Sequence, residues 1–209
     1  MAGTGDRAWL VERCMNENLN LVLIRHGEID SNVTKIYSGR SCEPLNSKGR
    51  IQAERAAVQL AGQPIVALFT SPLPRAVETA NIVGKSLNLA PQVSPHFNEL
   101  RMGPWEGLSE QQVESTYPDE FAVWNARPAE LALEGRETLE ELRARVLAGL
   151  IDVHRRHGAS PVAIVSHVAV IRVLMLHAHG RPLNDYKKVA VPNATPISLC
   201  IKAVQCGKA

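Results

Sequence analysis

Three short apolar runs, each stopped by residues that can do chemistry, constrain this chain more than any other feature. Leu21-Val22-Leu23-Ile24 ends at Arg25-His26-Gly27, Ile65 to Phe69 leads into Ser71-Pro72 with Arg75 close behind, and Val162 to Val165 ends at Ser166-His167. A continuous apolar run of this length marks a strand covered on both faces, because a half-exposed strand would alternate. Helical patterns separate the runs. One helix is expected from about Ser47, a candidate N-cap, through Leu60, with Gly62 and Pro64 as stop signals. A second should run from about Leu73 to Leu87, with Ala76, Ala80, Val83 and Leu87 on one face. A long helix from about Glu137 to Arg156 carries the stripe Leu139, Leu142, Val146 and Leu150, a further helix covers Val168 to Ala178, and extended stretches at Lys188 to Val191 and Ile197 to Val204 close the chain. Strands alternating with helices give an α/β fold: a three-layer α/β/α sandwich around a mostly parallel sheet, with the ligand site beyond the carboxyl ends of the strands.

The 209 residues suit one domain over residues 19–209, preceded by a loosely held extension, 1–18, in which Gly3, Thr4 and Gly5 precede a segment of little periodicity. From Pro91 to Pro128 the chain is richer in Pro, Gly and Trp, so a lid or pocket wall is expected at about 91–135. Lys and Arg total 23 against 21 Asp and Glu, and no basic run or aromatic-basic interleaving suggests a nucleic-acid partner. Cys14, Cys42, Cys200 and Cys206 form no CxxC or close pair, so reduced thiols are expected and not a zinc site or disulfide framework. Charges interrupt the first eighteen residues, and Ser166, His167 and Arg172 break Val162 to Met175, so no signal peptide or membrane span is read and the cytoplasm is the expected location.

Phosphoryl transfer needs a nucleophile, fixed positive charge around the equatorial oxygens and an acid for the leaving oxygen. A neutral imidazole can attack through one nitrogen while the other donates the bond that fixes its tautomer, which makes His26 the candidate. Arg25 and Arg75 can supply permanently charged, forked donors. The pair His177 and His179 lacks a nearby third ligand, and His96, His154 and His157 read as ordinary surface or structural residues, so no metal is expected.

Arg25-His26-Gly27-Glu28 with Asn32 shortly after resembles the opening signature of the histidine phosphatase superfamily, the phosphoglycerate mutase-like family. Four further stretches fall in the family's order: Gly39 to Ala53 with Pro44-Leu45, Gly49 and Gln52; Ser71 to Ala76 with Thr79-Ala80; Glu99 to Gly107; and Gly135, Glu137-Thr138 and Arg145 followed by Val165-Ser166-His167. Together they span Leu19 to Ile201, and motifs that are weak singly become specific in series. The resemblance implies a phosphoglycerate mutase-like fold and a His26 that is phosphorylated. Arg25, Arg75, His167 and Asn32 are then around the phosphoryl group, Glu99 is the acid and later the base, and no cofactor or metal is needed. Glu106 and Glu28 lie in the same motifs; the register before Gly103 favours Glu99, and Glu106 is expected to anchor its loop through backbone donors. Val168 stands where a small residue often follows the second histidine, and Cys42 where an acidic residue is common before Pro44-Leu45.

The expected activity is hydrolysis of a small phosphate monoester. A cofactor-dependent phosphoglycerate mutase is the alternative, disfavoured by the modest stretch from Leu108 to Leu133, and a non-catalytic phosphate-binding scaffold is a third reading. Specificity is expected from Tyr37 to Glu43 and Leu108 to Pro128; monomer or homodimer stays open.

Overall fold

The computed structural model describes residues 18–202. The expected extension therefore lies outside the described residues except for Asn18, as does Val204. Among the described residues five strands form one sheet in the order β3-β2-β4-β1-β5. They are β1 (Leu19–Arg25), β2 (Ala67–Thr70), β3 (Gln92–Val93), β4 (Val162–Ser166) and β5 (Pro196–Ile201). Only β5 runs antiparallel, pairing Leu21 with Leu199, whereas β1, β4, β2 and β3 are mutually parallel. The three apolar runs thus become adjacent central strands whose carboxyl ends point the same way.

Among the described residues seven α-helices surround the sheet: α1 (Asp30–Thr34), α2 (Ser47–Leu60), α3 (Pro74–Leu87), α4 (Glu110–Thr116), α5 (Pro118–Ala126), α6 (Leu139–His157) and α7 (Val168–Ala178). Alternate strand residues feed two cores. Leu21, Leu23, Phe69 and Ile164 pack with Leu142, Val146, Leu150 of α6 and Val170, Leu174 of α7. Ile24, Leu68, Ala163 and Val165 pack with Ala56 and Leu60 of α2 and Ala76, Ala80 and Val83 of α3. The central strands β1, β2 and β4 are largely apolar on both faces because each face meets its own helical layer.

Several boundaries differ from expectation for local physical reasons. Asn46, not Ser47, caps α2, its side chain accepting from Gly49 N. The second apolar run enters the sheet only at Ala67, and α6 begins after Thr138, whose hydroxyl accepts from Glu141 N in a reciprocal cap. Lys188 to Val191 is not a strand: Leu183–Lys188 is a 3-10 helix, and the segment after it packs Val189 and Val191 into the first core. The wall region contains α4 and α5, with Trp105, Phe121 and Trp124 buried in that same core.

The end of β1 is held against α2 by a contact that admits no side chain. A Cβ on Gly27 would stand 2.3 Å from the Gly49 carbonyl oxygen, and one on Gly49 would stand 2.2 Å from that of Glu28. Gly49→Ala must push the backbone around His26 away from α2. Overpacking of this kind costs about 1–3 kcal/mol, so a thermal melt should show a midpoint roughly 2–12 °C lower. An unchanged midpoint would mean that the two segments separate freely.

Candidate active site

His26 follows β1 and is 2% exposed. Its Nδ1 lies 2.7 Å from the Gly27 carbonyl oxygen. A carbonyl can only accept, so Nδ1 carries the hydrogen and Nε2 presents its lone pair. Burial, then the charges of Arg75 and Arg25, hold the His26 pKa well below its ordinary value, outweighing the opposing Gly27 bond. His26 is therefore neutral, in one tautomer, with its free nitrogen nucleophilic.

His167 follows β4, the neighbouring strand, and its ring centre lies 5.2 Å from that of His26. Its Nε2 is 2.7 Å from Ser71 Oγ, an oxygen that also accepts from Leu73 N. Burial, His26, Arg75 and Arg25 push its pKa well down. Ser71 Oγ also lies 3.5 Å from Asn98 Oδ1; when its one hydrogen goes instead to His167 Nε2, the nearer acceptor, the neutral ring carries its own hydrogen on Nδ1, a buried nitrogen with no partner among the described residues.

Arg25 ends β1 and donates through Nη1 to the Val191 carbonyl at 2.9 Å. Arg75, in the first turn of α3, is fully buried and gives Nη1 to Ser41 O at 2.8 Å and Nη2 to Gly39 O at 2.6 Å. Its fork thus fastens the 39–41 loop. The Nε atoms of both arginines, like His167 Nδ1, are buried without a partner among the described residues. An unsatisfied buried donor costs about 1–3 kcal/mol, and three around one histidine are what a tetrahedral anion would satisfy.

A cavity of roughly 440 Å³ opens at this point. Arg25, His26, Asn32 and Glu99 line it; Arg75 and His167 stand behind that lining. Asn32 Oδ1 accepts from Asn193 Nδ2 at 3.0 Å, and the same Asn193 nitrogen donates to the His26 carbonyl. Asn193 was not anticipated, although the Pro192-Asn193-Ala194-Thr195 cluster carries a turn signal.

Glu99 is 8% exposed. Burial raises its pKa, against the Leu100 N bond and the charges of Arg75 and Arg25. Its backbone is held separately: the Glu99 carbonyl accepts from Arg40 Nε at 3.0 Å and Arg145 Nη2 at 3.4 Å, and both guanidinium groups pair with Glu137. Arg145 Nη1 also takes the carbonyls of His96 and Asn98. Burial pushes Glu137 up, but Arg145 and the other donors outweigh it and leave it ionised below its usual range. Of the rival acids, Glu106 accepts from Arg40 N at 3.1 Å, and Glu28 pairs with Lys48 at 2.8 Å. Neither lines the cavity.

The rest of the lining includes Lys35, Arg172, Tyr186 and Lys187, which sequence reasoning did not assign to the site, with Tyr37 and Trp124 from the expected specificity segments. Cys42 is exposed, and the acidic role beside Pro44 falls to Glu43, which accepts from Ser31 N at 2.9 Å. No helix among the described residues is long and apolar enough to cross a membrane.

The family model of the histidine phosphatase superfamily (branch 1) matches residues 21–206. Phosphoserine phosphatase 1 of Hydrogenobacter thermophilus is 28% identical over 85% of this chain and 84% of its own. The glucosyl-3-phosphoglycerate phosphatase of Mycobacterium tuberculosis is 30% identical over 74% of this chain and 72% of its own. Among solved structures, YhfR of Bacillus stearothermophilus superposes with a TM-score of 0.82 at 26% identity, covering 91% of this chain and 98% of that one.

Proposed function

Because the chain belongs to the histidine phosphatase superfamily, branch 1, we propose that it hydrolyses small phosphate monoesters through a phosphohistidine on His26, without a metal ion. The observation that carries this reading is the fixed His26 tautomer: Nδ1–H is committed to the Gly27 carbonyl, and a neutral Nε2 is left to attack.

In the first step the Nε2 lone pair forms the N–P bond as the ester P–O bond breaks, and Glu99, in its acid form, gives its proton to the departing alkoxide. In the second step the Glu99 carboxylate takes a proton from water, whose oxygen attacks phosphorus and expels His26. Arg25 and Arg75 supply two fixed positive charges and His167 a neutral N–H donor, so the charge spread over the equatorial oxygens is met by groups already in place. Arg75 keeps its unpartnered Nε–H for this role, while two of its other N–H groups are held by the 39–41 loop. These permanent cations support a metal-free mechanism. The amide nitrogen of Asn32 is a further donor on the lining, because its oxygen accepts from Asn193.

Hydrolysis is favoured over phosphoryl return to a sugar acid by the phosphatase names of the relatives above, and over a scaffold by the simultaneous presence of nucleophile, cations and buried acid. By those relatives' names the substrate class is a small organic phosphate. The test is p-nitrophenyl phosphate in excess EDTA, where steady turnover is expected. Activity lost to the chelator and restored by a divalent ion would overturn the metal-free mechanism; absence of turnover under any condition would favour the scaffold.

A further inference from the structure

The cavity continues past His26 to a wall that phosphoryl transfer itself does not use. Lys35, Arg172 and Lys187 all line it, with Tyr37, Trp124 and Tyr186 between them. They come from three separate segments: the residue after α1, the interior of α7 and the 3-10 helix at 183–188. None pairs with a carboxylate among the described residues. Arg172 spends Nε on the Val189 carbonyl and lies 4.9 Å from the Tyr186 ring centre. Lys187 donates to Asn125 Oδ1 and lies 5.2 Å from the Trp124 ring centre.

Positive charge is continuous from the phosphoryl end to this wall. Arg172 acts on Arg25 at one side and on Lys187 at the other. Burial lowers the Lys187 pKa; Glu110 opposes this, and Arg172 and Arg136 add to it. Arg136 is 4% exposed, 4.4 Å from the Trp124 ring centre. The cavity lining carries four cations, Arg25, Lys35, Arg172 and Lys187, against two acids, Glu99 and Glu110. The chain as a whole carries a net charge of only +2, so this concentration is local. Cations crowded together without counter-ions repel one another, and an anionic ligand relieves that repulsion.

We propose that this wall is a subsite for a second anionic group of the substrate, a carboxylate or a second phosphate. Lys187 and Arg172 take the anion, Lys35 draws it in from the rim, and the aromatic side chains contact the spacer. This rests on the hydrolase reading above.

The test compares kcat/KM for 4-carboxyphenyl phosphate, its methyl ester and 1,4-phenylene bisphosphate, at low and high salt. The ester has the better leaving group, so chemistry alone favours it. The subsite instead predicts that the two probes with an anion at their far end exceed the ester by roughly tenfold or more at low salt, chiefly through KM, and that salt erodes the advantage. Whichever of the two is faster identifies the anion. Lys187→Met, and Lys187→Met combined with Lys35→Ala, should bring the ratio down to one or below, and Lys187→Glu should lower it further. Because each ratio is taken within one protein preparation, a partly misfolded variant does not distort it. A parent ratio near one, or a ratio unmoved by the variants, overturns the subsite while leaving the hydrolase intact. No turnover of any probe, p-nitrophenyl phosphate included, overturns both.

Discussion

His26→Asn is expected to lower kcat/KM for every phosphomonoester by on the order of 10⁴-fold or more, the scale seen when a covalent nucleophile is removed. Asparagine can still donate to the Gly27 carbonyl that holds Nδ1 of the native ring, so the loop should keep its shape. What disappears is the lone pair on Nε2. In the parent, rapid quench with labelled substrate should trap an acid-labile, base-stable phosphoryl group on His26. Its position is also set, because Nδ1 is committed to Gly27: phosphorus NMR of the trapped enzyme should show the Nε2 isomer. Label on Nδ1, or on a serine or cysteine, would sink the mechanism.

Glu99→Gln should separate substrates by leaving group. An alkoxide is too basic to depart without a proton, whereas p-nitrophenolate leaves unaided, and general acid assistance is worth about 10²- to 10⁴-fold. The variant should therefore slow phosphorylation of His26 severely with alkyl phosphates and mildly with p-nitrophenyl phosphate. Phosphoenzyme should then accumulate with the activated substrate, since the second step lacks its base. The pH profile gives an independent check. Burial raises the Glu99 pKa, so its acid form, present below that pKa, persists to higher pH than for an exposed carboxyl. With alkyl phosphates kcat/KM should fall as pH rises through this pKa, and the limb should vanish in Glu99→Gln. Equal slowing for both leaving groups, or the same signature from Glu106→Gln, would move the acid elsewhere.

The part of the site that could be read from sequence is the part built at strand ends. A buried strand is an uninterrupted apolar run, so Arg25-His26 and Ser166-His167 stand out as abrupt breaks, and parallel pairing brings those breaks together. Glu99 needed the family register, because nothing in local pattern separates it from Glu106. The far wall was hidden for a different reason: Lys35, Arg172 and Lys187 converge only through tertiary packing. Arg172 nonetheless left a trace, as the one permanently charged side chain in the otherwise apolar α7 sequence. Lys187 was obscured by the segment that follows it, read as extended although Leu183–Lys188 closes into a 3-10 helix. The wall helices were missed because α5 is buried at Phe121 and Trp124 without a regular apolar stripe, its position fixed by aromatic packing around Trp105 and not by periodicity.

The Arg40–Glu137–Arg145 clamp grips the Glu99 carbonyl, and so assigns mooring and proton traffic to different atoms of one residue. A carboxyl moored by its own ion pairs would slacken whenever it gained a proton. On the proposed mechanism Glu99 would load and unload its proton in each half of the cycle while this part of its anchorage stays constant, because the carbonyl that is gripped never titrates. The same residue acts in both steps of that mechanism, and it need not be relocated between its two tasks.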